Sequence, residues 1–343
     1  MTIIETITWA SSKLSKTSSS PELDSEVLLS FVLKRPKEFI WAYPGHQLSN
    51  RKASSYKLLI AKRLAYWPVA YLTSHKEFFG LDFRVTPGVL NPRPETELLV
   101  ELAIQAINDK QLAIRNIIDV GTGSGNIIIS LAKKLTEYGR LVYHTPKLYA
   151  VDSSKKAIAV ARQNARRHEV SQKIKFLHGN LLDPYLQLTT YLPGRLAGNL
   201  PTLILANLPY LTAKQYRSNL DLKHEPKTAL VGGTDGLKYY RELFQQIKQA
   251  GHSREACPRP RSGGRNPVWM PDQTQHDIIL LLEHDPSQKQ NLKSLARKFF
   301  DKAKVRFYKD LAGRNRVMEI IISRKQRRAD QPLLSKYFLD SKQ

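Results

Sequence analysis

Apolar residues follow two different rhythms along this chain, and the change from one to the other marks its organisation. Over residues 1 to about 72 they recur at helical spacing. Pro21 to Glu26 opens a segment carrying Val27, Leu28, Leu29, Phe31 and Val32, and Lys34-Arg35-Pro36 stops it. A second amphipathic segment runs from Tyr56 to Tyr66 with Leu58, Leu59, Ile60 and Leu64 on one side. Residues 1–74 are therefore expected to form a small helical domain. Pro68 to Leu72 then leads into Glu77 to Val85, two strand-like runs about Gly80. This pattern predicts a β-hairpin, placed within 75–90, as the joint to the remainder of the chain.

From residue 91 the apolar residues gather in short unbroken runs separated by turn residues and helical stretches. Asn116 to Val120, Lys147 to Val151, Ile174 to His178, Leu203 to Ala206 and Ile278 to Glu283 are such runs. Strands covered on both faces read this way, so the pattern predicts a parallel, doubly wound α/β sheet over 91–323. Lys304 to Ile320 gives two strands about a polar turn, an expected terminal antiparallel hairpin. Gly251 to Gln275 fits neither rhythm. Arg259, Arg261 and Arg265 stand there among Pro258, Pro260, Pro267, Pro271 and Gly263-Gly264. It reads as a basic irregular insertion that binds an acidic partner, or as locally degenerate sequence. Tyr138 to Pro146 reads as a second inserted loop, and 324–343, with Arg324-Lys325-Gln326-Arg327-Arg328, as a basic tail.

The chemistry sits in the turns after the strands. Asn116-Ile117-Ile118-Asp119-Val120 runs into Gly121-Thr122-Gly123-Ser124-Gly125, and Asn126 to Ala132 opens a helix. Strand, glycine turn and helix form the first unit of a doubly wound sheet, with a ligand expected at the strand's carboxyl end. A dinucleotide fingerprint needs glycine or alanine three places after Gly123, and Asn126 stands there. The loop instead resembles motif I of S-adenosylmethionine methyltransferases, whose cofactor has no pyrophosphate. At the tip of the next strand, Asp152 is placed to accept hydrogen bonds from both ribose hydroxyls; the alternative is that it caps the helix beginning near Lys155 with Ser153 and Ser154. After the third strand, Asn180 and Leu181 stand where the adenine would lie, or in a plain loop.

Asn207-Leu208-Pro209-Tyr210 follows the fourth run. An Asn at a strand end, before a Pro-stiffened backbone and an aromatic ring, suits the holding of a flat, weakly nucleophilic nitrogen. The Asn207 side-chain carbonyl accepts one hydrogen of an NH2 group, and the Leu208 backbone carbonyl accepts the other. A simple turn is the competing reading, since such residues are common in turns. Asn91-Pro92-Arg93-Pro94-Glu95-Thr96-Glu97 adds an extended approach followed by a helix start at Glu95 or Thr96. Its dense charge places Arg93 and Glu95 beside the cofactor or substrate entrance, or serves only the start of the helix.

Composition narrows the setting. With 343 residues the chain has room for two domains. Its single cysteine, Cys257, excludes an intramolecular disulfide and a Cys-rich metal site, so no metal is expected. Its apolar runs fall far short of the roughly 20 residues a membrane span needs. The N-terminus lacks a secretory layout; Ser/Thr-rich and poor in acids, it faintly resembles an organelle transit peptide, yet it has no Arg before Arg35. The expected setting is cytoplasmic. Lys and Arg total 54 against 30 acidic residues, a net charge of +24. That excess predicts salt-sensitive association with an anionic partner such as the ribosome or RNA, or serves solubility alone.

Taken together, Glu77 to Phe83, Pro92 to Glu97, Asp119 to Gly125, Glu225-Pro226-Lys227, Gly232 to Leu237 and Lys309 to Arg314 resemble the HemK/PrmC family. These are the glutamine methyltransferases of peptide chain release factors, and the resemblance spans about residues 5 to 322. It implies a Rossmann-like class I methyltransferase sheet domain behind a helical domain that recognises the protein substrate. It also implies methyl transfer from S-adenosylmethionine to the glutamine of the release factor GGQ motif; a monomer is expected. Asn207, Leu208, Pro209 and Tyr210 are then catalytic and, together with Arg93 and Glu95, substrate-binding. Asp119, Gly121, Thr122, Gly123, Ser124, Gly125, Asp152, Asn180, Leu181 and Asn207 hold the cofactor. One departure is Leu208, where the family usually has proline. It also resembles the tetrad of ribosomal RNA adenine dimethyltransferases, which makes adenine-N6 methylation the alternative activity. A non-catalytic ribosome-binding protein that keeps only the fold is a third reading.

Overall fold

The computed structural model describes residues 1–109, 112, 114–137, 145–190, 201–252 and 278–323. All but the first two residues of the expected insertion at 251–275, nearly all of the loop at 138–146, and the basic tail lie outside the described residues. The chain opens with five helices: α1 (Ile3–Leu14), α2 (Pro21–Leu33), α3 (Lys37–Ala42), α4 (Asn50–Leu64) and α5 (Val69–Thr73). The Thr2 side chain accepts from the Glu5 N–H while Glu5 reaches back to the Thr2 N–H, and this reciprocal box starts α1. Ile3, Leu14, Leu28, Leu29, Tyr56 and Ile60 close a core of their own. Within it the Tyr56 hydroxyl donates to the Ser25 carbonyl at 3.1 Å, and Arg63 pairs with the largely buried Asp24 at 2.7 Å.

The strands β1 (His75–Phe78) and β2 (Leu81–Arg84) pair antiparallel, with Phe78 opposite Leu81. A single 3-10 turn, Pro94–Thr96, precedes α6 (Glu97–Asn108). The alternating part comes next: β3 (Asn116–Val120), α7 (Asn126–Glu137), β4 (Lys147–Asp152), α8 (Lys155–Arg167), β5 (Ile174–His178), α9 (Asp183–Thr190), β6 (Thr202–Ala206), α10 (Ala213–Ser218) and α11 (Lys238–His252). Then come β7 (Ile278–Glu283), α12 (Lys289–Phe299), β8 (Lys304–Lys309) and β9 (Asn315–Ile322).

Seven strands form one sheet in the order β5-β4-β3-β6-β7-β9-β8, the first five parallel, with β9 running antiparallel between β7 and β8. Every residue of β3 and β6 is buried, as strands covered on both faces require. Alternate residues serve opposite layers: Leu203 and Leu205 join the core under α6 and α7, while Ile204 and Ala206 join the core under α11 and α12. The chain leaves β3 toward β4 and β5, then returns to lay β6 on the other side of β3. That reversal puts a crevice at the carboxyl ends of β3 and β6, the place where open α/β sheets bind ligands. The glycine turn and the Asn207 tetrad leave the sheet side by side at this point.

Two sets of contacts join the helical part to the sheet. The Tyr71 hydroxyl donates to the Val89 carbonyl at 2.6 Å, and Trp67 stacks on His224 with ring centres 4.4 Å apart. The fully buried Asn164 of α8 does more. Its oxygen accepts from the Arg84 N–H at 2.8 Å, and its NH2 donates to the carbonyls of Arg84 at 3.0 Å and Ser124 at 2.8 Å. One side chain thus fastens the hairpin to the glycine turn.

Candidate active site

A cavity of about 210 Å3 opens at the crevice. Gly121, Gly123, Asp152, Asn180, Leu181, Asn207, Leu208 and Pro209 all line it, so turns after four different strands converge there. The rest of its wall comes from Gly88 to Leu90, Ser153, Ser154 and Ala157, and from Pro226, Thr228, Ala229 and Tyr239. Nothing in the sequence alone places these residues at the site, although Glu225-Pro226-Lys227 carries part of the family resemblance.

Each turn is shaped by its own hydrogen bonds. Gly123, at φ +55°, donates its N–H to one Asp152 oxygen at 2.9 Å, and the Ser154 N–H donates to the other at 2.8 Å. The capping of α8 falls to the Ser154 hydroxyl, which accepts from the Ala157 N–H at 3.2 Å. A carboxylate oxygen accepts more than one hydrogen bond, so Asp152 retains capacity toward the cavity. Burial raises its pKa, against the pull of those two N–H groups. Leu181 is held at φ +46°, an uncommon conformation for a branched side chain, with its body on the cavity wall.

Other expected residues stand behind the wall. Asp119 is fully buried and takes the Thr122 hydroxyl at 2.6 Å; burial pushes its carboxyl up to about 7. Thr122, Ser124 and Gly125 shape the turn without lining the cavity. Arg93 forms an ion pair with the buried Glu225, which also accepts from the Asn91 N–H at 3.2 Å. Glu95 faces Arg314 at 3.5 Å. These pairs tie the segment before α6 to the Pro226 wall and to the terminal hairpin; neither Arg93 nor Glu95 is part of the lining.

The tetrad is held more tightly than its composition suggests. Asn207 donates from Nδ2 to the Thr96 hydroxyl at 3.0 Å, and Thr96, 2 % exposed, lies beside the buried carboxylate of Glu283. Thr96 precedes α6 yet places no side-chain cap on it. Leu208 is 2 % exposed and packs into the core under α11. The Tyr210 ring packs against that same core, and its backbone carbonyl accepts from Gln288 Nε2 at 2.9 Å. Leu211 bridges to Val231, pulling residues 230–236 alongside the tetrad. There the backbone of Gly236, at φ +72°, lies so near the Tyr210 carbonyl that a Cβ would fall far inside 3.0 Å.

The donor set suits one class of cofactor. Among the described residues the lining has a carboxylate at a strand tip, two carboxamides, apolar walls and no Lys or Arg side chain. That favours a nucleoside with a positively charged sulfonium over a phosphorylated cofactor. Among the described residues no cluster of His, Cys, Asp or Glu could hold a metal ion, and no helix is long and apolar enough to cross a membrane.

Comparison with known proteins agrees with this geometry. Residues 5–73 match the PrmC N-terminal domain, and residues 114–191 match a methyltransferase domain. A release factor glutamine methyltransferase of Dictyoglomus turgidum is 31 % identical over 92 % of this chain and 97 % of its own length. The Moorella thermoacetica protein of that name is 33 % identical over 86 % of this chain and 89 % of its own. The Coxiella burnetii protein of that name is 34 % identical over 69 % of this chain and 78 % of its own. With a four-strand crevice that carries the glycine turn, Asp152 and Asn207 together, behind an N-terminal domain of matching kind, the chain belongs to the family of release factor glutamine methyltransferases.

Proposed function

We propose that this protein transfers a methyl group from S-adenosylmethionine to the side-chain amide nitrogen of the glutamine in a release factor's GGQ motif. The observation that carries the reading is the placement of Asn207. Its NH2 is tied back to Thr96 at 3.0 Å, while the residue lines the same cavity as Asp152 and Gly123. The cofactor, when bound, supplies an electrophilic methyl on its sulfonium. Asp152 holds the ribose hydroxyls, Gly121 and Gly123 let the backbone lie along the amino-acid end, and Asn180 and Leu181 meet the base. Asp119, Thr122, Ser124 and Gly125 keep that turn in shape.

An amide nitrogen is a weak nucleophile because its lone pair is delocalised. Asn207 Oδ1 and the Leu208 carbonyl accept the two hydrogens of the substrate NH2 and turn the nitrogen toward the methyl. Pro209 and Tyr210 stiffen the backbone that carries both acceptors. Rate enhancement then comes from positioning and from dipoles aimed at the positive charge that develops on nitrogen. The proton leaves late, so no dedicated general base is required. Arg93 and Glu95 order the entrance, and the helical domain engages the rest of the release factor. The +24 charge supports a further, salt-sensitive contact with the ribosome or RNA.

Adenine-N6 methylation of RNA is the less favoured activity, since the relatives carry release factor names. The deciding experiment offers labelled S-adenosylmethionine with release factor and with ribosomal RNA in separate reactions. Label on the release factor that disappears when the GGQ glutamine is replaced is the expected result. Label on RNA alone would overturn the proposal.

A further inference from the structure

Behind Asn207 lies a buried polar chain that links the active-site amide to the far end of β7. Asn207 Nδ2 donates to Thr96 Oγ1, and Thr96 lies beside the Glu283 carboxylate. Glu283 is 1 % exposed, and its Oε2 is buried with no hydrogen-bond partner among the described residues. The Glu283 backbone carbonyl is held by the Tyr240 hydroxyl of α11, so the strand end is fixed from below. The helix start at 95–97 and the strand 278–283 are far apart in the sequence, and they meet near this amide because β7 pairs with β6 and α6 packs against β7.

We propose that Thr96 and Glu283 form a positioning pair that locks the Asn207 amide with its oxygen toward the cavity. The lock depends on where the protons sit. An ionised carboxylate has none to give, so it accepts from Thr96. Thr96 has a single hydroxyl hydrogen, and this bond uses it. The Thr96 oxygen can then only accept, and Asn207 meets it with NH2 and never with C=O. The amide oxygen is left facing the cavity, where an acceptor is needed. A protonated Glu283 undoes the lock. It donates to Thr96, the Thr96 hydrogen is released toward Asn207, and the amide can turn over to present its NH2 to the substrate NH2, donor against donor.

Glu283 is surrounded on several sides. Arg316 of β9, Arg93 and Glu95 before α6, Tyr210 after β6 and Tyr240 of α11 face it, and His284 and Asp285 follow it in the chain. Arg316 shares its charge with Asp310 at 3.3 Å. Burial outweighs these neighbours and pushes the Glu283 carboxyl up to about 7, so the lock is expected to open and close near neutral pH.

This inference rests on the proposed role of Asn207, and the test separates the two. Wild type, Thr96→Val, Thr96→Ser and Glu283→Gln are assayed with a release factor, together with cofactor affinity and melting temperature. Failure of the wild type to label release factor would overturn the proposed function itself. With wild type active, Thr96→Val is expected to lower kcat by about 10-fold to about 100-fold while cofactor Kd stays within about twofold. Thr96→Ser, which keeps the hydroxyl, restores turnover. The wild-type kcat rises with pH across about 6 to about 8, and Glu283→Gln removes that limb. A direct readout is the Asn207 side-chain amide in NMR, whose hydrogens exchange faster with solvent in Thr96→Val. Unchanged kcat in a folded Thr96→Val, or a wild-type pH profile that Glu283→Gln leaves intact, would overturn the positioning pair alone.

Discussion

Replacing Gly236 by alanine is the sharpest test of how the tetrad is held. At φ +72° an L side chain is strained, by about 1–2 kcal/mol for the left-handed region. The new methyl would also fall far inside 3.0 Å of two atoms, the Tyr210 carbonyl oxygen and Gln288 Nε2. One is backbone, so it cannot swing aside. Gln288 donates to that same carbonyl at 2.9 Å, and losing the bond removes a further ~1 kcal/mol. Stability is therefore expected to fall by about 2–3 kcal/mol, a drop in Tm that calorimetry resolves. The carbonyl must retreat by roughly 1 Å, which drags the Leu208 acceptor with it, and a misplacement of that size costs about 10²-fold in rate. Gly80→Ala is the control. Gly80 shares the φ of +72° but has open space around its missing Cβ. It should lose stability to backbone strain alone and keep its turnover number. Methyl transfer to a release factor and thermal unfolding, measured on both variants, decide the matter. A Gly236→Ala protein that turns over within about twofold of Gly80→Ala would refute the idea that this close approach sets the acceptor geometry.

The site and its buried carboxyls support three more expected outcomes. Asn207→Ala should reduce kcat by about 10²-fold to about 10³-fold with cofactor affinity nearly unchanged in calorimetry, and equal loss of both would sink the division of roles. Asp152→Ala should instead weaken cofactor binding, by about 1.5–3 kcal/mol if it loses hydrogen bonds made by a charged group, as read by titration calorimetry. Glu283 and Asp119 are carboxyls whose folded pKa is raised by burial to about 7 in each case. A raised folded pKa means stability fully present below the unfolded value and lost as pH rises through the folded one. Melting temperature should therefore decline from about pH 5 to about pH 8 through these groups, and the decline should be shallower in both Glu283→Gln and Asp119→Asn; unaltered slopes would contradict a burial origin for the shifts.

Much of this architecture is legible in the sequence because parallel strands covered on both faces leave unbroken apolar runs. Asn116 to Val120 and Leu203 to Ala206 announce themselves in that way, and the turns after them hold the glycines and Asn207. Other parts have no local signature. Thr96 reads as the start of a helix, and Glu283 as the last residue of a strand. What brings them to Asn207 is that β7 pairs with β6, Ala206 opposite Leu282, while α6 packs against β7, facts of tertiary packing. Arg93 and Glu95 stand out through charge density, yet their charges are spent on Glu225 and Arg314, residues remote in sequence. The reciprocal cap at Thr2 and Glu5 does have a signal, the Thr-x-x-Glu spacing, which marks the start of α1. The pressure of Gly236 on the tetrad is foreshadowed only by a crowd of glycines.

The amide of Asn164 has an engineering consequence. It satisfies both backbone groups of Arg84 and the carbonyl of Ser124 while fully buried itself. A fragment that begins after the hairpin would strand that amide in an apolar layer beside the cofactor turn, and each orphaned polar group costs about 1–3 kcal/mol. Chimaeras that exchange the front helices between relatives should therefore be spliced ahead of His75, so that the hairpin travels with the sheet it is bolted to. A splice inside it would damage the floor of the active site before any partner had been lost.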